Sequence, residues 1–342
     1  MSAAKTKTAA SAAKSPAATL KNAVGIVGSG RWGTTLAHIA ASQGSPVWLW
    51  CEHPGEAARI TASRANRERL PELVALHERV TATEDLSDIA RNCPLVILAL
   101  PVGRLRSTLR LLGDVLDGSH LLVHAVRGLE AETGLLPSQI VAQETCVLRQ
   151  GALLGAALVD ELVAGKPNNA VLASRFSEVG DATQAAFAGG PLRIEVQRDL
   201  LGIEAAAATA SAMAVALGMA DGLGFGPAAR ASLVAAAAGE MDAVVKAYAG
   251  DGAAARSVAG LGYLLVEREA DSRDVQAGRL LAQGQGATAI EKKLGNVDGF
   301  AACRSIDALC VKKKVAAPLL RGLTEVLSGR VGVHEAVAHY LA

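Results

Sequence analysis

A chain of 342 residues is longer than one average domain, so we expect two. The formal net charge of +1 gives no electrostatic basis for binding nucleic acid or an anionic membrane surface. Aromatic residues make up only 3%, so small aliphatic side chains must fill the core. The five cysteines form no CxxC pair, and no apolar run that we identify reaches the roughly 20 residues of a membrane span. These features predict a cytoplasmic protein with reduced thiols, no metal site and no membrane span.

The first 20 residues consist mainly of Ala, Ser, Thr and Lys and contain no acidic residue. This composition predicts a disordered tail at 1–20. A targeting peptide is the alternative, although the segment lacks both arginine and an apolar stretch.

From residue 21 onward, short apolar runs alternate with helical stretches. The alternation predicts an α/β fold with a doubly wound parallel sheet over residues 21–198. The strands are expected at 23–27, 46–50, 81–86, 95–100, 120–126, 170–173 and 192–196.

After residue 198 the alternation stops and long alanine-rich stretches follow. They predict an all-helical second domain at 199–342, which would bind the substrate. The helices are expected at 202–217, 227–248, 277–294, 316–327 and 333–341.

A glycine-rich loop lies between the first predicted strand and a helix. Gly28 allows a tight turn, Gly30 lets the backbone approach a pyrophosphate, and Gly33 permits close packing of helix on strand. Free amides at the helix N-terminus would hold the phosphate charge. The motif therefore predicts dinucleotide binding, in a Rossmann domain, by Gly28, Ser29, Gly30, Arg31, Trp32 and Gly33.

The second strand is followed by an acidic residue, Glu52, 22 positions after Gly30. A carboxylate at this place accepts hydrogen bonds from the adenosine ribose and repels a 2′-phosphate, so NAD is expected over NADP. A solvated loop acid is the alternative interpretation. Arg59 and Arg64 are nearby cations that would soften the preference.

Several segments in register resemble the NAD(P)-dependent glycerol-3-phosphate dehydrogenases. They include GSGRWGTTLA (28–37), NRERLPEL (66–73), LALPVGRLR (98–106), VRGLE (126–130), DLLGIE (199–204), DGLGFG (221–226) and GNVDGF (295–300). The resemblance implies a Rossmann domain followed by a helical domain, with the active site in the cleft between them. It also implies interconversion of sn-glycerol 3-phosphate and dihydroxyacetone phosphate, a reaction of glycerophospholipid metabolism, and a homodimer is the expected assembly.

The reactive centre departs from the pattern of the family. The lysine of GALKN is Ala210, the aspartate of GLGDL is Tyr263, and TRG is three alanines at 235–237. The catalytic group is therefore unassigned. Tyr263 is a candidate proton donor, and filling the vacated space is its alternative role. Glu204, just before the GALKN position, is expected to cap or brace helices.

Other family positions keep part of their chemistry. The lysine of KGLE is Arg127, and SRN becomes Ser272-Arg273-Asp274. The resemblance assigns Arg127, Arg273 and Asp298 to the cofactor site. It assigns Arg127, Arg273 and Asp274 to a phosphorylated substrate, although an ion pair with Asp274 is the alternative role of Arg273.

Three functions follow from this combination. The first is the NAD-dependent dehydrogenase reaction of the family. The second is a catalytically impaired homologue that binds NAD and acts as a sensor or interaction protein. The third is a dehydrogenase for another small carbonyl or imine. Function has to be argued from the site rather than from the fold.

Overall fold

The computed structural model describes residues 22–269 and 272–338, so the predicted tail at 1–20 lies outside the described residues. Eight strands form one sheet in the order β3-β2-β1-β4-β5-β6-β7-β8. The strands are β1 (Val24–Val27), β2 (Val47–Trp50), β3 (Val80–Thr83), β4 (Leu95–Leu98), β5 (Leu121–His124), β6 (Gln150–Gly155), β7 (Asn168–Ser174) and β8 (Leu192–Gln197).

The first six strands are parallel and follow the order 3-2-1-4-5-6 of a Rossmann fold, as predicted. The sheet is mixed rather than fully parallel, because β6 and β7 pair antiparallel. Sequence reasoning also missed β6, whose glycines lower strand propensity. Those glycines are needed here, since a Cβ on Gly155 would lie 2.7 Å from the Cα of Ala170.

Seven helices connect these strands and cover the two faces of the sheet. Every residue of β1 is buried, as expected of a central strand with helices on both sides. The third predicted strand was too long, because Asp85 accepts a hydrogen bond from the amide of Ser87 at 2.8 Å and begins a helix. The helices are α1 (Arg31–Ser42), α2 (Glu56–Ser63), α3 (Leu86–Asn92), α4 (Val102–Gly113), α5 (Pro137–Glu144), α6 (Val159–Val163) and α7 (Ser177–Phe187).

The described residues after β8 form helices without strands, as predicted. The first, α8, is long and apolar enough to cross a membrane, but 94% of its most apolar window is buried inside the protein, so it is a core helix. The helices are α8 (Leu200–Gly222), α9 (Pro227–Ala247), a 3₁₀ helix (Gly252–Arg256), α10 (Leu261–Glu269), α11 (Arg273–Ala282), α12 (Ala287–Leu294), α13 (Asp298–Lys313), α14 (Pro318–Leu327) and α15 (Val333–Ala338).

One expectation about these helices needs correction. The predicted helix at 277–294 is two helices, because Gly284 takes a positive φ of 84° and ends the first. Sequence reasoning did not identify α10 or α13. The last predicted helix begins at Val333 as expected, but its end at 341 lies outside the described residues.

Glycines allow α8 and α11 to pack almost backbone to backbone. A Cβ on Gly218 would lie 2.1 Å from the carbonyl oxygen of Val275, and one on Gly278 would lie 2.1 Å from that of Val215. Small side chains thus replace the missing aromatic bulk by letting the helices approach each other.

We expect Gly218→Ala to lower the free energy of unfolding by about 1–3 kcal/mol, because the added methyl meets backbone that must move. Gly239→Ala is the matched control. Gly239 also lies inside a helix, but its Cβ position is open, so alanine should stabilise the protein by about 0.5–1 kcal/mol. Denaturant unfolding of both variants measures the difference, and equal effects would contradict the close packing of α8 on α11.

Candidate cofactor and substrate site

The glycine loop has the geometry that a pyrophosphate requires. Gly28 has a φ of +117°, and a Cβ on Gly33 would lie 1.9 Å from the carbonyl oxygen of Gly28. The Cβ position of Gly30 has nothing within 4 Å, and no side chain caps α1 there. Because Thr34 donates the first bond of the helix to Gly30 at 2.9 Å, the preceding amides are available to an anion. These residues fit a dinucleotide.

Hydrogen bonds from and to buried polar side chains hold the glycine loop in place. The hydroxyl of Ser29 donates to Glu56 at 2.8 Å. The amide of Asn66 donates to the carbonyl oxygen of Ser29 at 2.8 Å and to the hydroxyl of Thr34 at 2.9 Å. Sequence reasoning missed Asn66, although it begins the NRERLPEL segment. The motif marked its position, but the partner 37 residues away was visible only in the fold.

The two large residues of the loop have different surroundings. The guanidinium of Arg31 donates to Glu72 at 2.8 Å and also pairs with Asp160, so its side chain is committed to carboxylates. Trp32 instead lines a cavity next to the loop. Of the two predicted cofactor contacts, Arg31 thus offers its backbone amide and Trp32 its ring.

Glu52 lies at the predicted place after β2, but its carboxylate forms an ion pair with Arg104 of α4. Arg64 donates to the backbone carbonyl of Val80 at 3.0 Å and is fixed there. Arg59 lies 3.7 Å from Glu68. The cation that contacts Glu52 is therefore one that sequence reasoning did not identify.

A cavity of about 250 Å³ lies beside the glycine loop, where β5 and β6 end. It brings together the predicted residues Trp32, Arg127 and Asp298. Glu52, Arg273 and Asp274 are not among the described residues that line it. The lining consists of Trp32, Leu100, Pro101, Val102, Ala125, Arg127, Leu153, Leu154, Gly155, Ala157, Ala170 and Asp298.

Arg127 is the cation of this cavity. Its Cζ lies 3.6 Å from the ring centroid of Tyr263, and its Nη2 donates to the carbonyl oxygen of Gly155 at 3.4 Å. Its Nε is buried and has no hydrogen-bond partner among the described residues. Burial acts to lower the pKa of Arg127, but the acidic groups around it, Tyr263 first and then Glu267, outweigh burial and raise the pKa. Arg127 therefore stays charged.

Tyr263 is 4% exposed and packs under Arg127. Burial raises the pKa of its phenol well above the usual value, so the phenol keeps its proton. Ala210 is fully buried and belongs to the same apolar cluster as Tyr263. This geometry favours the space-filling role of Tyr263 over the role of proton donor.

Glu204, six positions before Ala210, has the structural role expected from the sequence. Its carboxylate accepts hydrogen bonds from the amide of Ser138 at 2.7 Å and from the Ser138 hydroxyl at 2.5 Å, and so caps α5. The Nε2 of His124 lies 3.0 Å from the same carboxylate. Glu204 thus joins α8 to the sheet and to α5.

The SRD segment lies at the start of α11. Arg273 is exposed and donates to the carbonyl oxygen of Asn296 at 3.2 Å. Asp274 is 4% exposed, and its carboxylate accepts the amide of Gly299 at 2.9 Å. Burial, and next the neighbouring Asp298, raises the pKa of Asp274 to about 8. Asp274 thus begins α13 rather than facing the cavity, as the substrate-site prediction had implied.

Within residues 22–269 and 272–338, no group of three or more His, Cys, Asp or Glu side chains is placed to hold a metal ion. All five cysteines are free thiols, and only Cys146 is exposed.

We expect Asp274→Asn to stabilise the protein increasingly as pH rises. The aspartate is ionised above about pH 4 when unfolded but stays protonated up to about pH 8 when folded. The unfolded state therefore binds fewer protons in this window, and the wild type loses stability with rising pH. The advantage of the variant should grow by up to about 1.4 kcal/mol per pH unit between pH 5 and 7.

Urea unfolding at pH 5, 6 and 7 measures this change. Asp88→Asn is the control, because a hydrogen bond from Thr83 lowers the pKa of this carboxyl and keeps it ionised throughout the window. The control difference should not change with pH. A difference for Asp274→Asn that is equally flat would show that the buried carboxyl is already charged.

Comparisons with known proteins agree with this geometry. Residues 23–179 match the family model for the N-terminus of NAD-dependent glycerol-3-phosphate dehydrogenase, and residues 199–338 match the model for its C-terminus. The glycerol-3-phosphate dehydrogenase [NAD(P)+] of Alkalilimnicola ehrlichii is 30% identical over 320 residues, which cover 93% of this chain and 96% of that protein. The corresponding protein of Cupriavidus pinatubonensis is 33% identical over 329 residues, covering 92% and 94%.

Solved structures show the same architecture. The glycerol-3-phosphate dehydrogenase of Coxiella burnetii superposes with a TM-score of 0.87 at 25% identity, covering 94% of this chain and 99% of that one. The Plasmodium falciparum enzyme gives 0.86 at 15% identity, covering 93% and 95%, and supports the fold alone. With the glycine loop and both halves of the chain accounted for, the protein belongs to the NAD-dependent glycerol-3-phosphate dehydrogenase family and carries an NAD(P)-binding Rossmann domain.

Proposed function

We propose that this chain is an NAD(P)-dependent oxidoreductase that interconverts sn-glycerol 3-phosphate and dihydroxyacetone phosphate, with Arg127 as the cation of its active site. Residues 21–198 would hold the cofactor, and residues 199–342 would close the substrate side. The observation that carries the proposal is the guanidinium-bearing side chain of Arg127, which lines a cavity beside the glycine loop. A fixed cation at that place stabilises the negative charge that develops on the substrate oxygen.

The chain divides this work between its residues. A bound nicotinamide cofactor would supply or accept the hydride at C2 of the substrate. The α1 amides hold the pyrophosphate, and the Trp32 ring closes one side of the cavity. Arg127 binds the oxygen on C2 and supports the phosphate of the substrate. Its stacking on Tyr263 and its bond to Gly155 fix the guanidinium before substrate binds.

Proton exchange with the substrate is the step that the side chains of this site support least. Arg127 is charged at all relevant pH values and Tyr263 keeps its proton, so neither exchanges one readily. Asp298 lines the cavity, and burial raises its pKa, although Arg127 and Arg273 oppose the shift. Asp298 and solvent are therefore the routes for the proton. Without a positioned lysine we infer a chemical step slowed by about 10²–10⁴-fold.

A second candidate is binding of NAD(P) without turnover. The specific observation behind it is that Ala210 is fully buried and Tyr263 fills the space beside the cationic group. In that case the glycine loop would serve a sensing or interaction role. Cofactor binding is common to both candidates, and turnover separates them.

We expect the wild type to oxidise NADH or NADPH with dihydroxyacetone phosphate well below the usual enzyme rate on the order of 10 per second. Absorbance at 340 nm measures it. Arg127→Met should abolish the residual rate, whereas Arg127→Lys should keep part of it, because a cation remains. NADH titration is the control and should change little. An unchanged rate in Arg127→Met would remove Arg127 from the mechanism.

A second prediction tests the missing proton donor. The double variant Ala210→Lys/Tyr263→Asp should raise the turnover number by about 10²-fold or more, because it supplies an acid together with its buried counter-ion. Ala210→Met/Tyr263→Asp is the matched control, with similar length and no charge. Both should bind NADH as the wild type does. The second candidate would be established if the wild type binds NADH without turnover and, of the two double variants, only the lysine variant shows turnover.

The assembly and the compartment stay predictions. We propose a cytoplasmic homodimer, and the free thiols support a reducing compartment. A small phosphorylated molecule is the proposed substrate partner.

A further inference from the structure

A charged pair lies at the end of β2, close to the glycine loop. Glu52 follows Trp50 by two residues, and the carbonyl oxygen of Trp50 accepts the amide of Gly28 at 3.2 Å. The carboxylate of Glu52 pairs with the guanidinium of Arg104. Arg104 is the third residue of α4, and the residues that lead into this helix line the cavity. The pair therefore joins the loop after β2 to the first turn of α4 at the carboxyl edge of the sheet, where a dinucleotide binds.

This pairing changes what the acid does to a cofactor. A lone carboxylate after the second strand accepts the ribose hydroxyls of NAD and repels the 2′-phosphate of NADP. With a guanidinium on the carboxylate, the net charge of the pair is zero. The repulsion of a phosphate is then largely removed, while one carboxylate oxygen is still able to accept from the ribose.

The other cations of this region are engaged elsewhere. Arg64 donates to backbone carbonyls, including that of Val80 at 3.0 Å. Arg59 lies nearest to Glu68 at 3.7 Å. In the part of the chain that the structure describes, Arg104 is thus the cation placed to neutralise Glu52. Its side chain is 57% exposed and that of Glu52 is 31% exposed, so both are accessible to a ligand.

We propose that Arg104 determines cofactor choice by neutralising Glu52, so that the chain binds NADPH nearly as well as NADH. Arg104 acts here through Glu52, as a specificity-determining residue rather than a catalytic one. The inference rests on the proposed function for cofactor binding only and needs no turnover.

Fluorescence titration of the purified full chain with NADH and with NADPH, carried out at low ionic strength, tests this proposal. We expect the two dissociation constants of the wild type to agree within about tenfold. In Arg104→Ala the ratio of the NADPH constant to the NADH constant should rise by about tenfold, the effect of one unit charge facing a nearly doubly charged phosphate in water. In Glu52→Gln the ratio should fall.

Arg110→Ala is the matched control. Arg110 lies on the same helix, is 66% exposed and pairs with Glu144 at 3.2 Å, away from β2. Its removal should leave the ratio unchanged. Because exposed ion pairs contribute little to stability, all variants should keep their melting temperature, which verifies folding.

Two results would overturn the proposal while both cofactors still bind. One is an unchanged ratio in Arg104→Ala. The other is an equally large change in the ratio when Arg104→Ala is added to the Glu52→Gln variant. Arg104 would then contact the phosphate itself. Failure of the wild type to bind either cofactor would overturn the cofactor assignment, and this proposal with it. Binding without turnover would affect only the proposed reaction.

Discussion

Burial of α8 on every side is the constraint on which the rest of this structure depends. The helix is almost wholly apolar and packs against α11 through Gly218 and Gly278. At its N-terminal end Glu204 caps α5 and lies beside His124 of the sheet. A helix in this position joins the cofactor half to the helical half, and any charge at its middle would lie in the core.

This constraint explains why two replacements occur together. A buried lysine at 210 would need a counter-ion, and removal of one member of such a pair leaves the other charge uncompensated at high cost. Here Ala210 and Tyr263, which belong to one apolar cluster, stand at the two positions where the family pattern has a lysine and an aspartate, so the core contains no such pair at these positions. The phenol ring gives Arg127 a surface to stack on at 3.6 Å, so one cation is kept in the cavity. We expect the replacements to favour packing at the expense of proton transfer, a usual relation between stability and activity.

The parts that sequence reasoning predicted are those determined by local chain geometry. Gly28 needs a positive φ and Gly33 needs to lack a Cβ, and the two lie within a few residues of each other, so the motif alone locates the loop. The alternation of strand and helix predicts a doubly wound parallel sheet and locates five of its first six strands. The strand β6 was not predicted, because Gly151 and Gly155 interrupt its apolar pattern. The reason for these glycines is visible only in the fold, where β7 approaches too closely for a Cβ.

Long-range side-chain pairs were beyond such reasoning. The side chain of Asn66 contacts Ser29, 37 positions away in the sequence. Arg104 pairs with Glu52 at the edge of the sheet. The local sequence indicates neither of these two pairings. Asp274 was assigned to a substrate from its motif, whereas the fold directs it to the amide of Gly299. A motif identifies which residue types are present, but the charge that a residue presents depends on the partner that the fold provides.

The same distinction separates the two halves of the site. The groups that would bind the cofactor are mainly backbone amides and glycines, which need no charged partner and are all in place. The groups that would carry out the reaction depend on charged side chains in a buried cleft, where each requires compensation. Loss of a single buried charge there favours loss of its partner, while the cofactor loop is unaffected. Cofactor binding is therefore separable from turnover in this fold, and a chain with an intact glycine loop and Ala210 is a physically consistent state of it.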